Sequence, residues 1–149
     1  DEAAGSRTYR SESKDLIEWS NPQLTRSVGS QEAPFVFRWK GMYWMIVDAL
    51  GDKGLRIYKS SNGTDGWELN NTVLAAADGI RPKDNNVGHH PSIVVQHGRD
   101  GSEQCLIYYF THQERQTVIQ IAELELGADG KVFCNRNKYS SPKLPRWLI

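Results

Sequence analysis

The feature that most constrains this chain is an imperfect internal repeat that recurs about every fifty to sixty residues. Ala33-Pro34-Phe35-Val36-Phe37, a turn at Gly41 and Tyr43-Trp44-Met45-Ile46-Val47-Asp48 make one pair of apolar runs. Pro91-Ser92-Ile93-Val94-Val95, a loop holding Gly98 and Gly101, and Leu106-Ile107-Tyr108-Tyr109-Phe110-Thr111 make another. A second echo joins Tyr9-Arg10-Ser11 and Trp19 to Tyr58-Lys59-Ser60 and Trp67. A unit of this size built from short strands cannot bury its apolar face alone, and its repetition is the signature of β-propeller blades.

The pattern between the repeats is that of strands. No long window carries the three-to-four spacing of a helix, and the apolar residues fall in short runs bounded by Gly, Asn and Asp. Strands are expected near 7–11, 34–39, 42–49, 54–60, 67–74, 92–97, 104–111, 117–126 and 131–135, with glycine-containing turns between them. Each copy then reads as a four-stranded antiparallel meander. The fold class is all-β, with blades that form part of a five-bladed propeller.

Within one partial propeller domain, residues 7–20 are the end of one blade, 31–75 and 88–136 are complete blades, and 137–149 are a closing tail. A propeller needs at least four blades to close its ring. The rest of the ring is therefore expected from an upstream segment or from a second chain. A β-sandwich, whose strands also recur at short intervals, is the structural rival.

Charge and cysteine content narrow the partners. Lys plus Arg number 18, and so do Asp plus Glu, so no global field draws the chain to nucleic acid or to an anionic membrane. No apolar run has the length of a membrane span. Two cysteines, Cys105 and Cys134, are too few for a disulfide scaffold. They read as small buried thiols, or as a bridge between neighbouring strands of one blade.

The candidates for chemistry sit where the repeats begin. Residues just before an innermost strand point toward a propeller's central channel. Glu32 holds that place in one copy, ahead of Pro34, which biases its neighbour to extended geometry. Beside Phe35 and the tryptophans, its carboxyl could keep a proton and serve as a general acid; a solvated loop glutamate is the plainer alternative. Gly88-His89-His90-Pro91 holds the same place in the other copy, and a histidine there can bond a sugar hydroxyl, orient a carboxylate or bind a metal. Asp48 and His112 end the second strands and are expected behind the site, since an innermost strand and its neighbour finish at opposite ends. Arg81 and Arg38 could clamp a carboxylate or a hydroxyl pair, Arg81 being the better placed. Trp39 offers a flat face for a sugar ring.

These motifs resemble glycoside hydrolase family 43 and its five-bladed relatives, such as the neoagarobiose hydrolases of family 117. The resemblance rests on Glu32-Ala33-Pro34-Phe35-Val36 with Gly41-Met42-Tyr43-Trp44, on Gly88-His89-His90-Pro91-Ser92-Ile93-Val94 with Tyr108-Tyr109-Phe110-Thr111-His112, and on Ser13-Lys14-Asp15-Leu16-Ile17-Glu18-Trp19. It covers most of residues 7–135 and places the chain in the C-terminal half of such a protein. It implies that Glu32 is the general acid, and that a histidine at 89 or 90 faces the channel and helps hold water or a calcium ion, with His90 the metal candidate. Otherwise no cofactor is implied.

The family's catalytic base and modulating carboxylate open earlier blades, and that region is not in this chain. The expectation is therefore a glycosidase, inverting in mechanism, that acts on plant or algal oligosaccharides and polysaccharides with its base outside this chain. Glu32 would be catalytic; His89, His90, Arg81, Trp39 and His112 would bind substrate. A secreted or periplasmic location goes with that activity. The rival is a non-catalytic propeller that binds carbohydrate or protein through the same aromatic mouth.

Overall fold

A computed structural model describes residues 6–26, 30–51 and 53–138. Ten strands and no helix are found among them: β1 (Thr8–Arg10), β2 (Gln23–Arg26), β3 (Gln31–Trp39), β4 (Met42–Ala49), β5 (Leu55–Ser60), β6 (Glu68–Val73), β7 (Gly88–His97), β8 (Glu103–Gln113), β9 (Gln116–Leu126) and β10 (Val132–Cys134). Nine follow the expected runs. The tenth, β2, carries Gln-Leu-Thr-Arg, which has too few apolar residues to signal a strand. The expected closing tail falls mostly outside the described residues, which end in a turn at Lys138.

The strands form two sequential antiparallel sheets, β3-β4-β5-β6 and β7-β8-β9-β10, and a two-stranded sheet β1-β2. Each large sheet is an up-and-down meander whose neighbours in space are neighbours in sequence. An immunoglobulin-like sandwich would instead exchange strands between its sheets through Greek-key links. The β3–β4 hairpin shows how the sequence sets this register. Trp39 pairs with Met42 across Lys40-Gly41, whose φ angles of 52° and 76° are both positive. A two-residue turn with that geometry matches the strands' right-handed twist, and glycine takes the second position at no steric cost.

The two large sheets pack against each other through a common core. Trp39, Trp44, Ile46, Leu55 and Ile57 of the first sheet meet Ile93, Cys105, Ile107, Tyr109 and Leu124 of the second. Met45, Val47, Tyr58 and Trp67 form a second cluster on the other face of the first sheet. Strand β4 is thus buried on both faces, which explains its unbroken apolar run. The β1-β2 sheet is tied to β3 by the buried Gln31, whose Nε2 donates to Thr8 Oγ1 at 2.8 Å.

Two details correct the sequence reading. Cys105 and Cys134 both pair with Leu124, from opposite sides, so they lie two strands apart rather than on neighbours. Two interstrand steps come to roughly 9.6 Å, beyond the reach of a disulfide; both cysteines are free. Arg81 also differs. Its guanidinium is buried and donates to Asp84 Oδ2 from Nε (3.0 Å) and Nη2 (2.6 Å), to Tyr109 Oη and to the Ile121 carbonyl. It does clamp a carboxylate, but that carboxylate belongs to the fold.

Candidate functional site

The same irregularity opens both innermost strands. In β3, Glu32 pairs with Asp48 and Phe35 with Ile46, so Ala33 and Pro34 oppose the single residue Val47. In β7, His89 pairs with Phe110 and Ser92 with Tyr108, so His90 and Pro91 oppose Tyr109. Each is a two-against-one bulge. The residue before each proline has a positive φ, 47° at Ala33 and 42° at His90. Side chains other than glycine's resist that region, and bulges of this kind re-aim the residues beside them.

The two bulges bring an acid and an imidazole together. His90 Nε2 lies 2.9 Å from Glu32 Oε1, with the two side chains 48% and 43% exposed. Behind them sits Asp48, whose Oδ2 accepts from the His90 backbone N–H at 3.1 Å and meets His89 Nδ1 at 3.1 Å. An ionised carboxylate can only accept, so the His89 contact requires the proton on Nδ1. Phe110 packs centrally, its ring centroid 5.6 Å from that of His89 and 5.1 Å from those of His90 and His112. His112 is also 5.1 Å from His89, and its Nδ1 lies 3.3 Å from Thr117 Oγ1.

Glu32, His89, His90 and His112 therefore converge, and the bulge separates the roles of the adjacent histidines. His89 is turned to Asp48, whereas His90 is presented beside Glu32. Two other candidates lie elsewhere. Trp39 ends β3 seven residues from Glu32, roughly 20 Å along an extended strand, and it is only 3% exposed. Its ring packs on Trp44 at 6.0 Å instead of offering a free face. Arg81 is bound to Tyr109, and strand alternation sends Tyr109 and Phe110 to opposite faces of β8.

The surroundings of Glu32 also differ from expectation. Its polar neighbour is an imidazole, and the side chain is half-exposed rather than enclosed by tryptophans.

No protein-family model and no curated protein matches the sequence. Among solved structures, the crystal structure of a thermostable family-43 glycoside hydrolase superposes with a TM-score of 0.66 at 21% identity. The chain has a family-43-like fold. The match covers 89% of this chain and 49% of the other, so the chain spans about half of that protein's length. The two meanders are thus blades of a family-43-like propeller fold rather than halves of a sandwich.

Within that fold, sequence reasoning set Asp48 and His112 at strand ends away from the site, whereas Asp48 lies directly against the histidine pair and His112 packs on Phe110 and His89. The start of an innermost strand and the finish of its antiparallel neighbour lie side by side, so Asp48 comes directly opposite Glu32. Counting pairs back from the Lys40-Gly41 turn leads to that neighbourhood. Phe110, the shared packing surface for three histidines, gave no signal beyond its place in an apolar run.

Glu32, Asp48 and His90 each offer a ligand atom within 4.8 Å of the others. Direct calcium binding does not fit this set. Calcium takes about six to eight oxygen ligands, whereas here one donor is an imidazole nitrogen and Asp48 Oδ2 already meets two nitrogen partners.

Proposed function

We propose that the complete protein is a glycoside hydrolase that inverts configuration and acts on plant or algal oligosaccharides, with Glu32 as its general acid. The observation that carries this reading is the Glu32–His90 pair, 2.9 Å apart at the mouth of two bulged innermost strands in a family-43-like fold.

The chemistry follows from the donor set. An inverting enzyme needs a protonated carboxyl at the leaving oxygen, and a carboxylate roughly 6.5–9.5 Å away to activate water. The His90 contact engages Oε1 of Glu32, which leaves Oε2 to carry the proton. As Oε2 protonates the leaving oxygen, His90 Nε2–H donates to the forming carboxylate and stabilises its charge. The second carboxylate activates the water on the opposite face of the sugar. We assign that base to the rest of the propeller, supplied by an upstream segment or a second chain, and the acting protein to a secreted or periplasmic setting. Within this chain the exposed His112 is the histidine offered to a sugar hydroxyl beside the Glu32–His90 pair, and His89, turned to Asp48, lines the mouth next to it. A calcium ion at His90 would be held through water rather than by direct ligation.

The test is Glu32→Gln in the full-length protein, assayed against aryl glycosides and algal oligosaccharides. Loss of a positioned acid costs on the order of 10²–10⁴ in rate, and the isosteric amide should leave melting temperature and circular dichroism unchanged. Full activity of the variant would remove Glu32 from the mechanism. A wild-type protein that binds these sugars without cleaving them would favour the non-catalytic binding module, which the exposed mouth with its histidines and Phe110 also suits.

A further inference from the structure

We infer that Asp48 is a positioning residue for this site: a buried strut that reaches from one sheet to fix both histidines of the next and so delivers the His90 ring to Glu32. Asp48 stands at the end of β4, directly across from Glu32, and is 1% exposed. Its Oδ2 accepts from the His90 N–H and lies at 3.1 Å from His89 Nδ1, and it is 4.0 Å from His90 Nε2. One oxygen of the first sheet thus addresses the backbone and both rings of the second sheet's Gly-His-His motif. No other carboxylate joins the two sheets at this mouth in that way among the described residues.

The energetics favour a positioning role over a purely stabilising one. A carboxylate taken out of water loses its hydration and must recover it from donors. Asp48 recovers it on one oxygen only, because Oδ1 is buried and has no hydrogen-bond partner among the described residues. A half-satisfied buried acid is a poor device for stability, since an apolar residue of similar volume would avoid the cost. What Asp48 holds is specific. His90 is kept at a φ of 42° ahead of Pro91, a conformation that its own sterics oppose, and its N–H is the group that Oδ2 accepts from. A charge-assisted hydrogen bond to that N–H fixes the bulge, while the His89 contact fixes the approach of the carboxylate. Without the strut the bulge relaxes toward ordinary extended backbone, and the His90 ring leaves Glu32.

The kinetic part of the test rests on the glycosidase reading; the spectroscopic part does not. In the full-length protein, Asp48→Asn keeps an acceptor oxygen and removes the charge, whereas Asp48→Ala removes both. With an aryl glycoside or oligosaccharide that the wild type cleaves, kcat should fall in the order wild type, Asn, Ala, by up to about 100-fold for a displaced catalytic pair, with KM nearly constant. In ¹⁵N-histidine spectra of the same proteins without substrate, the His90 ring signals should move in both variants while those of His97 stay. The wild-type His90 amide proton should exchange slowly, which can be read even where a variant fails to fold. Unchanged kcat in both variants, a rise in KM alone, static His90 signals or a fast-exchanging His90 amide would each overturn the proposal. If Glu32→Gln is fully active while the His90 signals still respond to Asp48, the glycosidase role falls and the strut stands.

Discussion

Two residues, Ala33 and His90, carry the conformational cost of the candidate site. Each is a side-chain-bearing residue at positive φ, each precedes a proline, and each creates the bulge that turns a neighbouring polar side chain toward the same mouth. A left-handed conformation costs a non-glycine residue roughly 1–2 kcal/mol. Ala33 carries no functional group, so the cost can be measured there. Ala33→Gly should raise stability in denaturant unfolding by up to about 1 kcal/mol, and Ala33→Val should lower it by at least as much. The reverse order would mean that the backbone at 33 does not hold this geometry. Glu32 and the histidine pair could be picked out from the sequence, because polar titratable residues stand immediately before apolar runs at matching places in a repeat. Asp48 as a direct partner could not. Its register depends on one extra residue in β3, and an irregularity of that kind leaves no mark on hydrophobic alternation.

Strands and sheets were more legible than the contacts between them. Nine strands follow from apolar runs and glycine turns, whereas β2 is held by pairing with β1 and has no pattern of its own. The pairing of strands also decides the cysteines. Flanking Leu124, Cys105 is buried and Cys134 half-buried against the same core, and desolvation pushes each thiol up to about 12, with nearby acidic groups adding to the rise at Cys105. Both should resist thiol reagents at pH 8 in the folded protein and react on unfolding. Because the folded values lie above the ordinary 9.0, the fold favours the protonated thiols. Their contribution is complete below pH 9 and is lost as pH rises from there toward 12. Rapid modification at pH 8 without unfolding would contradict this placement.

The loop before β7 shows a different limit. Arg81 looked like a ligand clamp because nothing in the sequence announces Asp84 as its partner. Asp84 is fully buried and accepts from Arg81, from Arg136 Nη2 at 2.7 Å and from Tyr109 Oη at 2.9 Å. Removing one member of a buried ion cluster strands the others' charge, so Asp84→Ala should cost about 3–5 kcal/mol in an unfolding titration. A loss under 1 kcal/mol would show that the cluster is open to water.

At the scale of the molecule, repetition with divergence is the organising fact. Two equivalent meanders share a core and repeat one bulge, yet one supplies a carboxylate and the other imidazoles. The fold was legible because repeats report on topology directly. The joint site was not, because it arises where two copies meet rather than within either. The central claim is that this meeting point is the acid half of an inverting pair, whose other half belongs to blades beyond this chain. The most direct measurement is the carboxyl-to-carboxyl distance at Glu32 in a crystal structure of the complete protein with a bound oligosaccharide. The account predicts a second carboxylate roughly 6.5–9.5 Å from Glu32 across the sugar, with Glu32 in reach of the glycosidic oxygen. A mouth with no second carboxylate at that range, or a sugar bound away from Glu32, would contradict it.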